Sequence, residues 1–311
     1  MIAPHKVDAR RPLRTQGFDS LDLLRLSLEL EKVLSRPVDV GDVLQDSSVV
    51  GIAKRIGEDL KRESEPIVAL RRGSTSCRAS VFCIPGVGGT VFSFNSILDT
   101  MPNWCPVWGL PYPGISGESK PARRVEELVD RFLAAAADHV PQNPVLLGYS
   151  FGAFIAFEMA RKLKERGVDP VVVVIDAVPA SLDRFEPRTR KIKIPKDWKL
   201  RMEHVFPKAI ADAMGLKRSR SMKHLRDVIA GSFEAMRNYA PVPLDHPVHL
   251  LKTRETDFAN FASEGTLGWS TLASDVRITE LPGNHLEVFR VGAIDLGTTV
   301  SRIVQAGRAG L

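Results

Sequence analysis

Ser150 stands in Gly148-Tyr149-Ser150-Phe151-Gly152, between the apolar run Val145–Gly148 and an amphipathic stretch from Phe154 to Lys164. A serine on a sharp strand-to-helix turn has its hydroxyl exposed, and flanking glycines let neighbouring backbone approach. The chemistry such a residue serves is nucleophilic attack on an acyl group. The competing reading is structural, an N-cap serine in a nucleotide-binding fold. A hydroxyl is a poor nucleophile until a base takes its proton, so the chemical reading requires a histidine. His285 is the last of the seven histidines, in the tight turn Leu281-Pro282-Gly283-Asn284-His285. It suits the chain order serine, acid, histidine. His246 and His249, flanking the start of a strand pattern, are the second choice.

The acid that would orient the imidazole has two candidates. Asp176 closes the run Val171–Ile175, one strand–helix–strand unit after Ser150; Asp257 follows the run Val248–Lys252. Both follow strand ends, and spacing does not choose between them. Acyl transfer also needs donors for a developing oxyanion. The Phe151 N–H is one, and the turn Pro85-Gly86-Val87-Gly88-Gly89 can supply the other from Val87. That turn could instead cradle a phosphate, but it lacks both a Lys-Ser/Thr ending and a G-x-G-x-x-G pattern.

The elements that must position these residues are legible as an alternation. Short apolar runs at Val81–Pro85, Val107–Leu110, Val145–Gly148 and Val171–Ile175 alternate with amphipathic stretches around Arg123–Asp138 and Phe154–Lys164. Further strand patterns follow at Val248–Lys252 and Val276–Leu281, and a last helix after His285. Continuous apolar strands separated by helices predict an α/β domain with a mainly parallel sheet covered on both faces. Between Pro179 and Pro243 the alternation stops. This stretch, rich in Arg and Lys from Arg184 to Lys199, is expected to form a helical lid over about residues 180–243. Its charges suit either a solvated face or the docking of an acidic partner.

Ahead of this domain the apolar residues fall at helical spacing. Leu21, Leu24, Leu28 and Leu30 form one stripe, and Ile52, Ile56 and Leu60 a second. Pro37 breaks between them, and Asp46 with Ser47 can cap the second helix. The expected organisation is a small all-α unit over 1–62, a linker over 63–78 leading into an edge strand, and the α/β domain over 79–311.

Composition sets bounds on function. A chain of 311 residues, 44% apolar and 26% charged, has the balance of a soluble globular protein with room for about two domains. The net charge of +6 forms no basic stripe, so nucleic acid is not an expected partner. No apolar run approaches the ~20 residues of a membrane helix. Met1 to Arg14 is polar and basic, unlike a secretory signal. Cys77, Cys83 and Cys105 show no metal spacing and read as reduced thiols, so a cytoplasmic protein without a metal is expected.

From Val81 onward the chain resembles the type I thioesterase domain of nonribosomal peptide and polyketide synthases, an α/β-hydrolase. The resemblance rests on Pro85-Gly86-Val87-Gly88-Gly89, on Gly148-Tyr149-Ser150-Phe151-Gly152 with Phe157-Glu158-Met159-Ala160, and on Ile175-Asp176-Ala177-Val178-Pro179. Trp269 ahead of Pro282-Gly283-Asn284-His285 completes it. It implies the triad Ser150, Asp176 and His285, with Asp176 now preferred to Asp257. It also implies release of a carrier-bound acyl, polyketide or peptidyl chain by hydrolysis or cyclisation through an acyl-enzyme. Gly152-Ala153 departs mildly from the family's frequent Gly-Gly.

The N-terminal segment resembles the second half of an acyl or peptidyl carrier domain. Gly17-Phe18-Asp19-Ser20-Leu21 matches the family's G-x-D-S-L, which implies phosphopantetheine on Ser20. Carrier domains have a long first helix before this motif; here only Met1 to Gln16 precede it, interrupted by Pro4 and Pro12, so a partial carrier is expected. The implied partners are a carrier domain, upstream synthase modules and an acyl thioester. The rival functions are a stand-alone serine esterase or lipase on small esters, and a non-catalytic hydrolase-like binding protein.

Overall fold

Valine-rich runs too short for helices, such as Val145–Tyr149 and Val171–Ile175, become the central strands of a sheet buried on both faces. A computed structural model of the chain describes residues 7–34, 43, 47–52, 66–74, 79–115, 117, 119–179, 220–255, 265–285, 287–289 and 291–309. Asp257, Cys77, the basic run from Arg184 to Lys199, and Ile56 and Leu60 of the second stripe lie outside them. The described strands are β1 (Val68–Arg71), β2 (Val81–Ile84), β3 (Val107–Gly109), β4 (Val145–Tyr149), β5 (Val171–Ile175), β6 (Leu244–Glu255) and β7 (Ala273–Asn284). They form one seven-stranded sheet in the order β1-β3-β2-β4-β5-β6-β7. Only β1 runs antiparallel to its neighbour; every other pairing is parallel. β1 lies inside the stretch read as a linker leading into an edge strand, and is itself the edge strand of this sheet.

Alternate side chains of each strand enter different cores. Phe82, Leu146, Val172, Val174 and Leu250 face α2 (Val125–Ala135), α3 (Gly152–Glu165) and α4 (Arg220–Asn238). Val81, Cys83, Leu147, Val173 and Leu251 face the 3-10 stretch Phe92–Thr100 and α5 (Ala293–Ala309). This is the period-2 alternation of a strand read by two layers of helices. Each fully buried Val, Leu or Phe contributes about 1.5–3 kcal/mol of transfer free energy. The described part of the lid stretch belongs to this framework: Val228, Ile229 and Phe233 of α4 and the following Tyr239 are buried in the first core.

The N-terminal unit has its own small core of Leu13, Leu23, Val43 and Ile52. Helix α1 (Ser20–Leu34) begins under a reciprocal cap: the Asp22 N–H donates to Asp19 Oδ1 at 2.8 Å, and the Asp19 N–H to Asp22 Oδ2 at 3.2 Å. In the second helical turn the cap is Ser48, whose Oγ accepts the Gly51 N–H at 3.0 Å, one residue beyond the expected Ser47. Asp46 lies outside the described residues. Arg14 joins this unit to the α/β domain by donating to Asn95 O at 2.5 Å. Among the described residues no helix is long and apolar enough to cross a membrane.

Candidate active site

β4 ends at Tyr149 and α3 begins at Gly152, leaving two residues to turn the chain. Ser150 adopts φ +53°, in the left-handed region that side chains disfavour. The glycines make that turn possible. A β-carbon at Gly148 would lie 2.5 Å from Gly152 O, and one at Gly152 would lie 2.2 Å from Ile84 O. The Ser150 N–H donates to Ile175 O at 3.1 Å, which pins the turn to β5. A methyl is accommodated at the next position, where Ala153 is fully buried.

Asp176 leaves β5 through a second left-handed residue, φ +42°, with its N–H donating to Leu251 O at 2.9 Å. Its carboxylate is fully buried and accepts from the Thr253 N–H at 2.9 Å and from His285 Nδ1 at 2.9 Å. Burial alone would raise this carboxyl; the bonds from His285 and Thr253, and attraction to the imidazole, outweigh it and hold the group below its ordinary value. An ionised carboxylate only accepts, so the imidazole proton is assigned to Nδ1 and Nε2 is left as acceptor. His285 Nε2 lies 3.2 Å from Ser150 Oγ, within reach of its proton. Serine, imidazole and carboxylate thus meet beyond the C-terminal ends of β4, β5 and β7, where parallel sheets place their sites.

His246 and His249 do not join them. His246 Nε2 is held 2.5 Å from Pro170 O, at the opposite ends of β5 and β6. His249 sits in register with Val173 and Arg277, and burial beside Arg277 lowers its basicity.

Tyr149, which sequence reasoning passed over, braces the histidine. Its hydroxyl donates to His285 O at 2.8 Å, and its ring stacks on the imidazole with centroids 5.0 Å apart at 24°. Burial raises this phenol, with Asp176 adding to the effect, so it stays a donor. The only sequence signal was an aromatic beside the nucleophile; its partner lies 136 residues away. Trp269 acts on the acid's loop, its Nε1–H donating to Ala177 O at 2.7 Å.

The Pro85–Gly89 turn lies against Ser150: a β-carbon at Gly86 would stand 3.3 Å from the Ser150 Cβ. Gly86 O accepts the Gly89 N–H at 2.9 Å, closing the turn across Val87 and Gly88. Among the described residues, neither the Val87 nor the Phe151 N–H donates to a protein acceptor. Both remain available to an anion formed beside Ser150.

Ser20 is the first residue of α1, with Asp19 taking the cap. A phosphodiester at that position would meet the positive end of a 15-residue helix, which suits an anion. The residues present therefore fit a phosphopantetheine arm. No group of three or more His, Cys, Asp or Glu that could hold a metal occurs among the described residues. Cys83 and Cys105 are buried thiols, and burial raises Cys83 above its ordinary range.

Comparison with known proteins places the two parts of the chain in two families. Residues 79–296 match the family model described as thioesterase domain, and residues 1–56 match that for the phosphopantetheine attachment site. Vanchrobactin synthetase VabF of Vibrio anguillarum is 28% identical over 161 residues, 49% of this chain and 6% of that protein. Indigoidine synthase of Dickeya dadantii is 23% identical over 322 residues, 93% of this chain and 21% of that protein. The chain thus spans a small part of these relatives. Among solved structures, the Vlm2 thioesterase domain superposes with a TM-score of 0.59 at 20% identity, covering 77% of this chain and 98% of that one. At that identity the likeness speaks to the fold alone, an α/β-hydrolase.

Proposed function

Since the chain belongs to the thioesterase domain family, we propose that it releases an acyl, polyketide or peptidyl chain from a phosphopantetheine carrier through an ester on Ser150. The single observation that carries this reading is the contact chain from the Asp176 carboxylate through His285 to the Ser150 hydroxyl. His285 takes the serine proton as Oγ attacks the thioester carbonyl, and Asp176 stabilises the imidazolium that forms. The Val87 and Phe151 N–H groups hold the tetrahedral oxyanion; losing one such donor typically lowers the rate ~10²–10³-fold. As the carbon–sulfur bond breaks, His285 returns the proton to the departing sulfur. It then deprotonates water, or a hydroxyl or amine of the acyl chain, which cleaves the ester by hydrolysis or cyclisation.

In this reading residues 1–62 are a partial carrier unit, 63–78 connect it, and 79–311 form the thioesterase domain with a lid at about 180–243. Ser20 bears the phosphopantetheine, whose thiol supplies the thioester linkage when bound. The partners are a carrier domain and upstream synthase modules, in the cytoplasm. The test is mass spectrometry of the chain after incubation with acyl-thioester surrogates and, separately, with a fluorophosphonate. A stoichiometric adduct on Ser150, absent in Ser150→Ala, is expected; an unlabelled wild-type chain would sink the enzyme reading. A phosphopantetheine mass increment on Ser20 after treatment with a phosphopantetheinyl transferase separates this function from a stand-alone esterase.

A further inference from the structure

Ser232 sits on α4, in the stretch read as lid, and is 2% exposed. Its Oγ lies 3.0 Å from Val87 O and 2.9 Å from Val228 O. A bond to the carbonyl four residues back is the ordinary habit of a helical serine. The second contact is not, because it reaches the turn beside Ser150. Gly231 makes that reach possible: a β-carbon there would lie 2.6 Å from Ala122 O, so a larger residue would push α4 away.

We infer that Ser232 is a positioning residue for the oxyanion turn, coupling the seating of α4 to the orientation of the Val87 peptide. The inference rests on the thioesterase reading above. Four carbonyls of the turn, those of Pro85, Gly86, Val87 and Gly89, are tied back. Pro85 O accepts from the Tyr112 hydroxyl, Gly86 O from the Gly89 N–H, and Gly89 O from the Tyr112 N–H. Val87 O is held by Ser232 alone among the described residues. In a trans peptide the C=O and N–H point in opposite directions. With Gly86 O turned inward to Gly89, the Val87 N–H points outward.

The next peptide, between Val87 and Gly88, is the one that inverts between the two common forms of such a turn, and Gly88 presents no side chain to prevent it. Inversion would swing a carbonyl dipole through half a turn beside the donor for the oxyanion. The Ser232 bond holds that peptide in one form. α4 is therefore a strut whose position sets the field at the reacting carbonyl.

The experiment compares Ser232→Ala and Ser232→Thr with wild type on a soluble acyl-thioester surrogate. It reads kcat, KM, the rate of inactivation by a fluorophosphonate, and thermal unfolding. Ser232→Ala is expected to lower kcat and the inactivation rate together, by roughly 10–100-fold, within the range of a weakened oxyanion donor. KM should stay within about twofold, since the donor acts on the tetrahedral state rather than the bound ester. Ser232→Thr, which keeps the hydroxyl, should recover most of the rate. Should Ser232→Ala fail to fold, Ser232→Cys, with similar volume and a weaker donor, reads the same split. Wild-type kcat in Ser232→Ala, or a loss in Ser232→Thr that tracks its unfolding temperature, overturns this inference while leaving Ser150 labelling intact. A wild-type chain that the fluorophosphonate leaves untouched overturns the parent reading, and this one with it.

Discussion

A carboxylate with no exposed surface is tolerable only if its lone pairs are met, and Asp176 is met by one N–H from β6 and one from His285. Asp176→Asn would replace an acceptor by an amide that can turn its NH₂ to the imidazole and trap the wrong tautomer. We expect kcat to fall ~10⁴-fold with little change in KM, as loss of the charged acid does in other triads. The same residue sets a pH dependence. Its folded-state value is depressed, so its contribution to stability is complete above the unfolded value near ~4 and is lost as pH falls through the folded value. Thermal unfolding from pH 6 downward should show wild type losing stability more steeply than Asp176→Asn; parallel curves would count against a paired carboxylate. Ser150 and His285 were legible because each sits in a short local motif. Asp176 and Asp257 were not separable by spacing, since a strand end says nothing about which side chain meets an imidazole arriving from another strand. Thr253 and Ser232 gave no signal at all, and Tyr149 only its place beside the nucleophile, because the groups they contact are distant in sequence.

At the scale of the element, the crossing of β4, α3 and the end of β2 brings backbone directly against backbone. The β-carbon at Gly152 would meet backbone oxygen of both Ile84 and Pro85, at 2.2 and 2.5 Å, and backbone cannot yield as a flexible side chain can. Gly152→Ala should therefore destabilise by at least the ~1–3 kcal/mol of ordinary overpacking. It should also displace Phe151, whose N–H is assigned to the oxyanion. Urea unfolding measures the first effect, and fluorophosphonate inactivation of the folded fraction the second. Unchanged stability would mean that α3 can move off β2 freely. The element types were well foretold: each apolar run became a strand and each amphipathic stretch among the described residues a helix. The edge strand Val68–Arg71 falls inside the stretch read as linker: it is short and only half-buried, and antiparallel pairing with β3 rather than its own pattern makes it a strand.

In the whole molecule, two cores share one sheet and a third, smaller core packs in the N-terminal unit. Arg14 bridges that unit to the larger domain, half-buried and donating to Asn95 O; burial lowers its basicity, and the nearby Asp99 opposes the effect. Arg14→Ala should loosen the N-terminal unit, raising amide hydrogen exchange in residues 13–34 several-fold. Turnover of a small soluble thioester by Ser150 should be unaffected, and unchanged exchange would show that the bridge holds nothing. The amino-acid sequence by itself determined the order of elements, the serine turn, the histidine turn and the α/β class, because hydrophobic period and glycine placement act over a few residues. It also placed Asp19-Ser20 at a helix start. Tertiary structure alone decided that β1 closes the sheet edge, that Tyr149 stacks on His285, and that α4 meets the turn opposite the nucleophile. Those outcomes depend on which strand ends and helix faces meet, and such meetings come from packing the whole sheet between its helices, not from any local window of residues.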